Sequence, residues 1–239
     1  SSQIEGTQAT FAEVLKAEAD VVDDPERHSD VYEISNYIKA MDYGLERLKD
    51  FPISLRLLRE IHKILLEGVR GEHKNPGEFR TSQNWIGGPT INSASFVPPP
   101  SNEVMSLLDN FEKYLHDKSP MPILIKIGLL HLQFETIHPF LDGNGRLGRL
   151  LITFYLCQQR ILQKPLLYLS EFFMKFRQEY YDRLRSVHTN DDIENWLKFF
   201  LEGIIATSDN AVDTARKIIK LREEDIRKVM KLGRSSTNG

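Results

Sequence analysis

Along most of the chain, apolar residues return every third or fourth position, the spacing of helix faces rather than of strands. Ile53, Leu57, Leu58, Ile61, Ile64 and Leu65 stripe one face of a helix that begins near Ser54. The same spacing predicts helices over about 29–49, 102–116, 122–136, 144–162, 170–187 and 192–230. Between 123 and 134 the chain is apolar nearly all round, apart from Lys126, His131 and Gln133, and Pro122 stands where a first helical turn tolerates proline. That segment should be a central buried helix. The expected fold class is all-α, mainly helical.

One region breaks the pattern. Two short β-prone pieces, 83–86 and 95–97, lie among Gly77, Gly87, Gly88 and the run Pro98-Pro99-Pro100. They read either as a small β-hairpin, whose unpaired edge could accept a visiting strand, or as a plain surface loop.

Composition narrows the class. With 239 residues, 41% hydrophobic and 27% charged, the chain can bury a core without a disulfide scaffold. Its 31 Lys and Arg against 34 Asp and Glu leave a net charge of −3, which removes the electrostatic case for a dedicated nucleic-acid binder. The single cysteine, Cys157, excludes an intramolecular disulfide and a cysteine-based zinc site, and is compatible with a reducing compartment. No apolar run approaches the ~18 residues of a bilayer span, and no basic start leads into an apolar stretch, so neither a membrane segment nor a signal peptide is expected. A cytoplasmic location is the expectation.

Chemistry concentrates in His138-Pro139-Phe140-Leu141-Asp142-Gly143-Asn144-Gly145-Arg146-Leu147-Gly148-Arg149, between two predicted helices. Glycines on both sides of Asn144 let successive N–H groups converge at a helix N-terminus, a place for phosphate. Arg146 and Arg149 offer permanently charged forks, Asp142 a hard oxygen for Mg²⁺, and His138 an imidazole able to take a proton from a hydroxyl. Each piece also has a plainer reading: Asp142 or Asn144 as a helix cap, the glycines as turns, the arginines as solvated charges and Phe140 as a packing anchor. Their coincidence in one segment favours the site.

Two other motifs overlap this segment. Gly143 to Gly148 satisfies G-x-G-x-x-G, with Glu171 at the distance of a ribose-binding acid, but 135–139 is polar and proline-broken where a dinucleotide fold needs a buried strand. His131, Glu135 and His138 share i, i+4, i+7 spacing, yet H-E-x-x-H is absent, and His131 on an apolar helix reads as a hydrogen-bonded core residue.

The whole run resembles, at every fixed position, the H-P-F-x-[DE]-G-N-G-R-x-x-R motif of the Fic family. The resemblance extends through Pro76-Gly77-Glu78-Phe79-Arg80, Asn84-Trp85-Ile86-Gly87-Gly88, Phe96-Val97-Pro98-Pro99, Tyr180, Tyr181 and Trp196. It implies a Fic-like fold with one small β-hairpin flap, and transfer of AMP from ATP to a Ser, Thr or Tyr hydroxyl of a target protein. It further implies that His138 deprotonates the target and that Asp142 holds Mg²⁺. Gly143, Asn144 and Gly145 would seat the phosphates, and Arg146 would clamp the β-phosphate. Ile86, Gly87 and Val97 would belong to the target-docking flap. Tyr180 or Tyr181 would border the adenine, or simply pack a helix. Gly145 separates the chain from the related Doc kinases, which carry Lys there and transfer phosphate.

Ser1-Ser2-Gln3-Ile4-Glu5-Gly6 resembles the family's [ST]-x-x-x-E-[GN] inhibitory motif, in which the Glu bonds the second motif arginine, here Arg149, and obstructs the γ-phosphate. Ser2 to Glu5 also fits a capping box, in which Glu5 only satisfies a backbone donor. The resulting organisation is an inhibitory helix and linker over 1–28, a catalytic domain over 29–205, and a C-terminal helix with a mobile tail over 206–239. The charged stretch Arg216 to Lys231 would lead into a further module or act as a solvated support. Self-modification and a homodimer are compatible with the resemblance. The alternatives are removal of AMP from targets, with Glu5 aligning water, and a nucleotide-binding interaction module.

Overall fold

A computed structural model describes Ile4 and residues 25–235, with side chains for Ile4 and 30–230. Ser1, Glu5 and Gly6 lie outside the described residues, as do the remainder of 1–24 apart from Ile4 and the tail 236–239.

The helices are α1 (Pro25–Arg47), α2 (Leu55–Leu65), α3 (Val104–His116), α4 (Ile123–Ile137), α5 (Asn144–Gln158), α6 (Leu169–Lys175), α7 (Arg177–Asn190) and α8 (Ile193–Ser235). Short 3₁₀ turns stand at Ile91–Ser93 and Ser101–Glu103. α4 and α5 form the central pair: α3 and α8 pack on α4, α1 and α2 pack on α5, and α6 and α7 cover α8. None of the described helices is long and apolar enough to cross a membrane.

The local reasons are those of the sequence pattern. Ser54, in extended backbone, caps α2 by accepting the Leu57 N–H at 3.3 Å, while Leu57, Leu58, Ile61 and Leu65 bury its apolar face. α4 is buried round most of its circumference, as its unbroken apolar run requires. Its one ammonium, Lys126, sits over the Tyr114 ring, 5.2 Å from its centroid, and donates to the Asp117 carbonyl. Gly128 lets α8 approach closely, since a Cβ there would stand 3.1 Å from Leu197 and Phe200. The Trp196 indole N–H of α8 donates to the Gly128 carbonyl at 3.0 Å. Leu130, Phe134, Leu147, Leu151, Phe154 and Phe200 complete a wholly buried centre.

Two expectations change. The helix predicted over 170–187 is two helices, broken at Phe176 (φ −110°, ψ 39°). No glycine or proline marks the break; it accompanies the stacking of Phe173 on Tyr180, 4.5 Å apart, against the core. The hairpin contracts to one antiparallel bridge, Ile86 with Phe96, and no strand stands among the described residues. Gly87 and Gly88, at φ 71° and 75°, turn the chain away straight after Ile86, and Thr90 and Ser93 close the tip on themselves. Beyond Val97 three prolines have no N–H with which to extend a ladder.

Candidate active site

The site is the bend between α4 and α5. His138 caps α4 in the left-handed region (φ 47°, ψ 61°), and Gly143 (φ 75°) turns the chain into α5. Asn144, buried, holds the bend from inside: its Oδ1 accepts the Phe140 N–H at 2.9 Å and its Nδ2 donates to the Phe140 carbonyl at 2.8 Å. The Asn144 side chain is therefore a brace, and what it turns toward a ligand is main chain. As the first residues of α5, Asn144, Gly145 and Arg146 have amides without intrahelical acceptors, at the positive end of the helix.

A second ring of residues fixes the bend from outside, and sequence reasoning gave none of them a role. Arg80 is almost wholly buried; its guanidinium donates to the carbonyls of His138 (2.9 Å), Ile137 (3.2 Å) and Pro99 (2.5 Å), and its N–H to Pro139 (2.8 Å). Asn84 donates to Phe140 O at 3.0 Å. His62 of α2 stacks on Phe140 at 3.8 Å. Its Nδ1 accepts the Gly77 N–H at 2.8 Å, which leaves Nε2 as the donor to Asp142 O at 2.9 Å. Both ring nitrogens are thus used by a neutral ring, and burial pushes the His62 pKa down to about 4. Arg80 and Asn84 carried a signal, as parts of the Pro76 to Arg80 and Asn84 to Gly88 stretches, and His62 carried none.

A cleft of about 790 Å³ opens over the bend, lined by His138, Asp142, Gly143, Asn144, Gly145, Arg149, Tyr180, Tyr181, Ile86 and Gly87. Arg70, Glu135, Arg177, Arg185 and His188 line it as well. The predicted residues therefore converge, with two exceptions. Val97 does not line the cleft and is 44% exposed. Arg146 lies wholly buried beneath the bend, its guanidinium 3.5 Å from Asp142 Oδ1 and 3.8 Å from Glu33 Oε2 of α1. Glu33 is buried too, and Arg70 approaches it at 3.7 Å.

Around the imidazole, Glu135 Oε2 lies 4.0 Å from His138 Nδ1, one helical turn earlier on α4. Gly148 makes the space for that carboxylate, because a Cβ at 148 would collide with Glu135 Oε1. His131, by contrast, belongs to the core. Its Nδ1 donates to Gly148 O at 3.0 Å, its Nε2 accepts from the Tyr180 hydroxyl at 2.9 Å, and burial pushes its pKa down to about 3. Tyr180 consequently spends its hydroxyl inside the protein, whereas Tyr181 is partly exposed beneath the Arg177 guanidinium at 5.6 Å.

Among the described residues no three His, Cys, Asp or Glu side chains converge as a metal cage. Asp142 is the carboxylate aimed at the bend; Oδ1 accepts the Gly143 N–H at 2.6 Å. One such carboxylate beside the first amides of α5 suits Mg²⁺, which keeps waters and takes further oxygens from a ligand.

Residues 52–156 match the family model described as Fic/DOC family, and residues 1–46 match that described as Fic/DOC family N-terminal. The protein adenylyltransferase Fic of Aedes aegypti is 30% identical over 191 residues, covering 77% of this chain and 34% of that protein. Its counterpart in Culex quinquefasciatus is 29% identical over 190 residues, with 77% and 34% covered. The chain thus spans about a third of the length of these curated relatives. In fold, a Fic family protein from Desulfovibrio desulfuricans G20 superposes with a TM-score of 0.74 at 23% identity, over 89% of this chain and 62% of that one.

Proposed function

The chain belongs to the Fic/DOC family, and from that premise we propose that it is a protein adenylyltransferase, moving AMP from ATP to a Ser, Thr or Tyr hydroxyl of a target protein. The observation that carries this reading is the convergence of the His138 imidazole, the first amides of α5 and the Arg149 guanidinium on one cleft large enough for a nucleotide.

In this reading Nε2 of His138 takes the hydroxyl proton as the target oxygen attacks the α-phosphorus. The new P–O bond forms as the bond to the β-phosphate oxygen breaks, and pyrophosphate leaves. The amides of Asn144 and Gly145 and the dipole of α5 hold the phosphates in place; positioning and charge are most of what phosphoryl chemistry asks of a protein. Mg²⁺, held by Asp142, would neutralise phosphate charge. Arg146 has a different part from a direct clamp: buried between Asp142 and Glu33, it orients the carboxylate. Ile86 and Gly87, at the cleft edge, are the proposed contact for the target, in a catalytic unit over 29–205.

Labelled nucleotide tests the reaction. ATP labelled at the α-phosphate should mark a target or the chain itself, γ-labelled ATP should not, and His138→Ala should abolish labelling while ATP still binds. Label arriving from the γ-position would make the chain a kinase. Neither label arriving would favour a binding module.

Autoinhibition by Glu5 is the second proposal. Ile4 is wholly buried, and its carbonyl accepts the Arg177 Nε–H at 2.8 Å. Arg177 lines the cleft, so the residue preceding Glu5 is anchored beside the nucleotide site. A carboxylate there competes with phosphate for the same guanidinium groups. Glu5→Gly should raise AMP incorporation at least tenfold; an unchanged rate removes the idea. If Glu5 instead aligns water for AMP removal, the wild-type chain should release AMP from a modified target and Glu5→Gly should not.

A further inference from the structure

Beyond Thr207, α8 leaves the core. Every described residue from Val212 to Met230 is exposed, and that length of helix runs about 28 Å at 1.5 Å per residue. Five of its apolar residues share a heptad register, while Leu221 lies off it. Val212, Ile219 and Ile226 recur every seven positions, and Ala215, Arg222 and Val229 occupy the intervening fourth positions, so a single seam, interrupted once by Arg222, follows the segment. Along it Val212 is 47%, Ile219 58%, Ile226 43% and Val229 67% exposed. Ile218 and Met230 widen the seam on either side. An isolated exposed Leu needs no explanation, whereas exposed Val and Ile residues repeated at heptad spacing mark an interface.

The charges indicate what covers it. Asp213 precedes a basic block, Arg216, Lys217, Lys220 and Arg222, which is followed by the acidic block Glu223, Glu224 and Asp225 and then by Arg227 and Lys228. Two parallel copies would set each block against its own kind and bring two Arg222 guanidinium groups face to face in the seam. Antiparallel copies centred between Ile219 and Arg222 do the opposite. Val212 then faces Val229, Ala215 faces Ile226, the Arg222 stem faces Ile219, and Arg216 at one edge meets Glu223. Arg216 and Lys217 of each copy then lie along Asp225 and Glu224 of the other, while Lys220 meets Leu221 at the centre. We infer that the distal half of α8 pairs with the same segment of a second copy of this chain, as an antiparallel two-stranded coiled coil.

Sedimentation equilibrium of the chain tests this. A concentration-dependent dimer is expected, and Ile219→Glu with Ile226→Glu should raise its dissociation constant by about a hundredfold or more, with helix content and core melting temperature preserved. Arg216→Glu and Glu223→Arg should each weaken the dimer, and together restore it, because the pair re-forms with its signs exchanged. Orientation is read in a Cys157→Ala background. A mixture of Ala215→Cys and Ile226→Cys chains should cross-link, and Val229→Cys alone should not. A monomer at submillimolar concentration, a dimer indifferent to the two glutamates, or homotypic cross-linking through Val229→Cys would each overturn the inference.

Discussion

His138 stands where an L-residue is strained, at φ 47°, and the left-handed conformation costs roughly 1–2 kcal/mol. Something must hold it there, and the hydrogen bonds say what. The carbonyls on both sides of the imidazole, Ile137 and His138, are taken by Arg80, and the next, Pro139, accepts the Arg80 N–H. With its carbonyls drawn into the protein, the bend is free to turn its amides and imidazole toward the cleft. Arg80→Lys keeps the charge but loses the fork that reaches several carbonyls at once. It should therefore lower stability by about 2–4 kcal/mol through unsatisfied buried carbonyls, seen in urea unfolding. Under conditions where the variant is folded, single-turnover AMP transfer should fall at least tenfold with little change in ATP affinity. Equal rates in the two proteins would reduce Arg80 to a purely structural residue. Glu135 adds a carboxylate 4.0 Å from His138 Nδ1.

At the scale of elements, what was legible in the sequence was whatever short-range chemistry decides. The apolar circumference of 123–134 made α4 central, and the glycines flanking Asn144 placed the α5 N-terminus. The bend between them could be located because Pro139 and Gly143 act on their own neighbours. What was illegible comes from partners far along the chain. His62 meets the Asp142 carbonyl across 80 residues and Arg80 meets the Ile137 carbonyl across 57, and no spacing rule connects them. Arg146 shows the same limit. On a helix an arginine reads as a phosphate clamp or as a solvated charge, and only Glu33 on α1, 3.8 Å away, accounts for its burial. The break at Phe176 likewise follows from packing, whereas the hairpin contracts through its own residues, Gly87 and Gly88 turning the chain and Pro98 to Pro100 lacking N–H groups.

For the whole molecule, the two histidines that join elements make its stability sensitive to pH. His62 ties α2 and the Gly77 turn to the bend, and His131 ties α4 to α5 and α7; each is buried, neutral and fully hydrogen-bonded. Their folded pKa values, about 4 and about 3, lie below the ordinary 6.5. Below pH 6.5 the unfolded chain therefore takes up two protons that the native protein refuses, so stability is complete above that pH and falls as the medium is acidified. The native rings begin to accept protons only near pH 4, so the loss accumulates across the window from 6.5 down to about 4. Each ring contributes about 1.4 kcal/mol per pH unit well inside the window, which amounts to several kcal/mol for the pair by pH 4.5. Urea unfolding between pH 4.5 and 8 should show uptake of close to two protons or more near pH 5.5, since burial lowers the His188 pKa as well. A His62→Gln variant should lose one of them, along with part of its AMP transfer, because the amide cannot both accept from Gly77 and reach the Asp142 carbonyl. A flat profile between pH 5 and 7 would mean that these rings are not held neutral, and the bend would have to be fixed by other means.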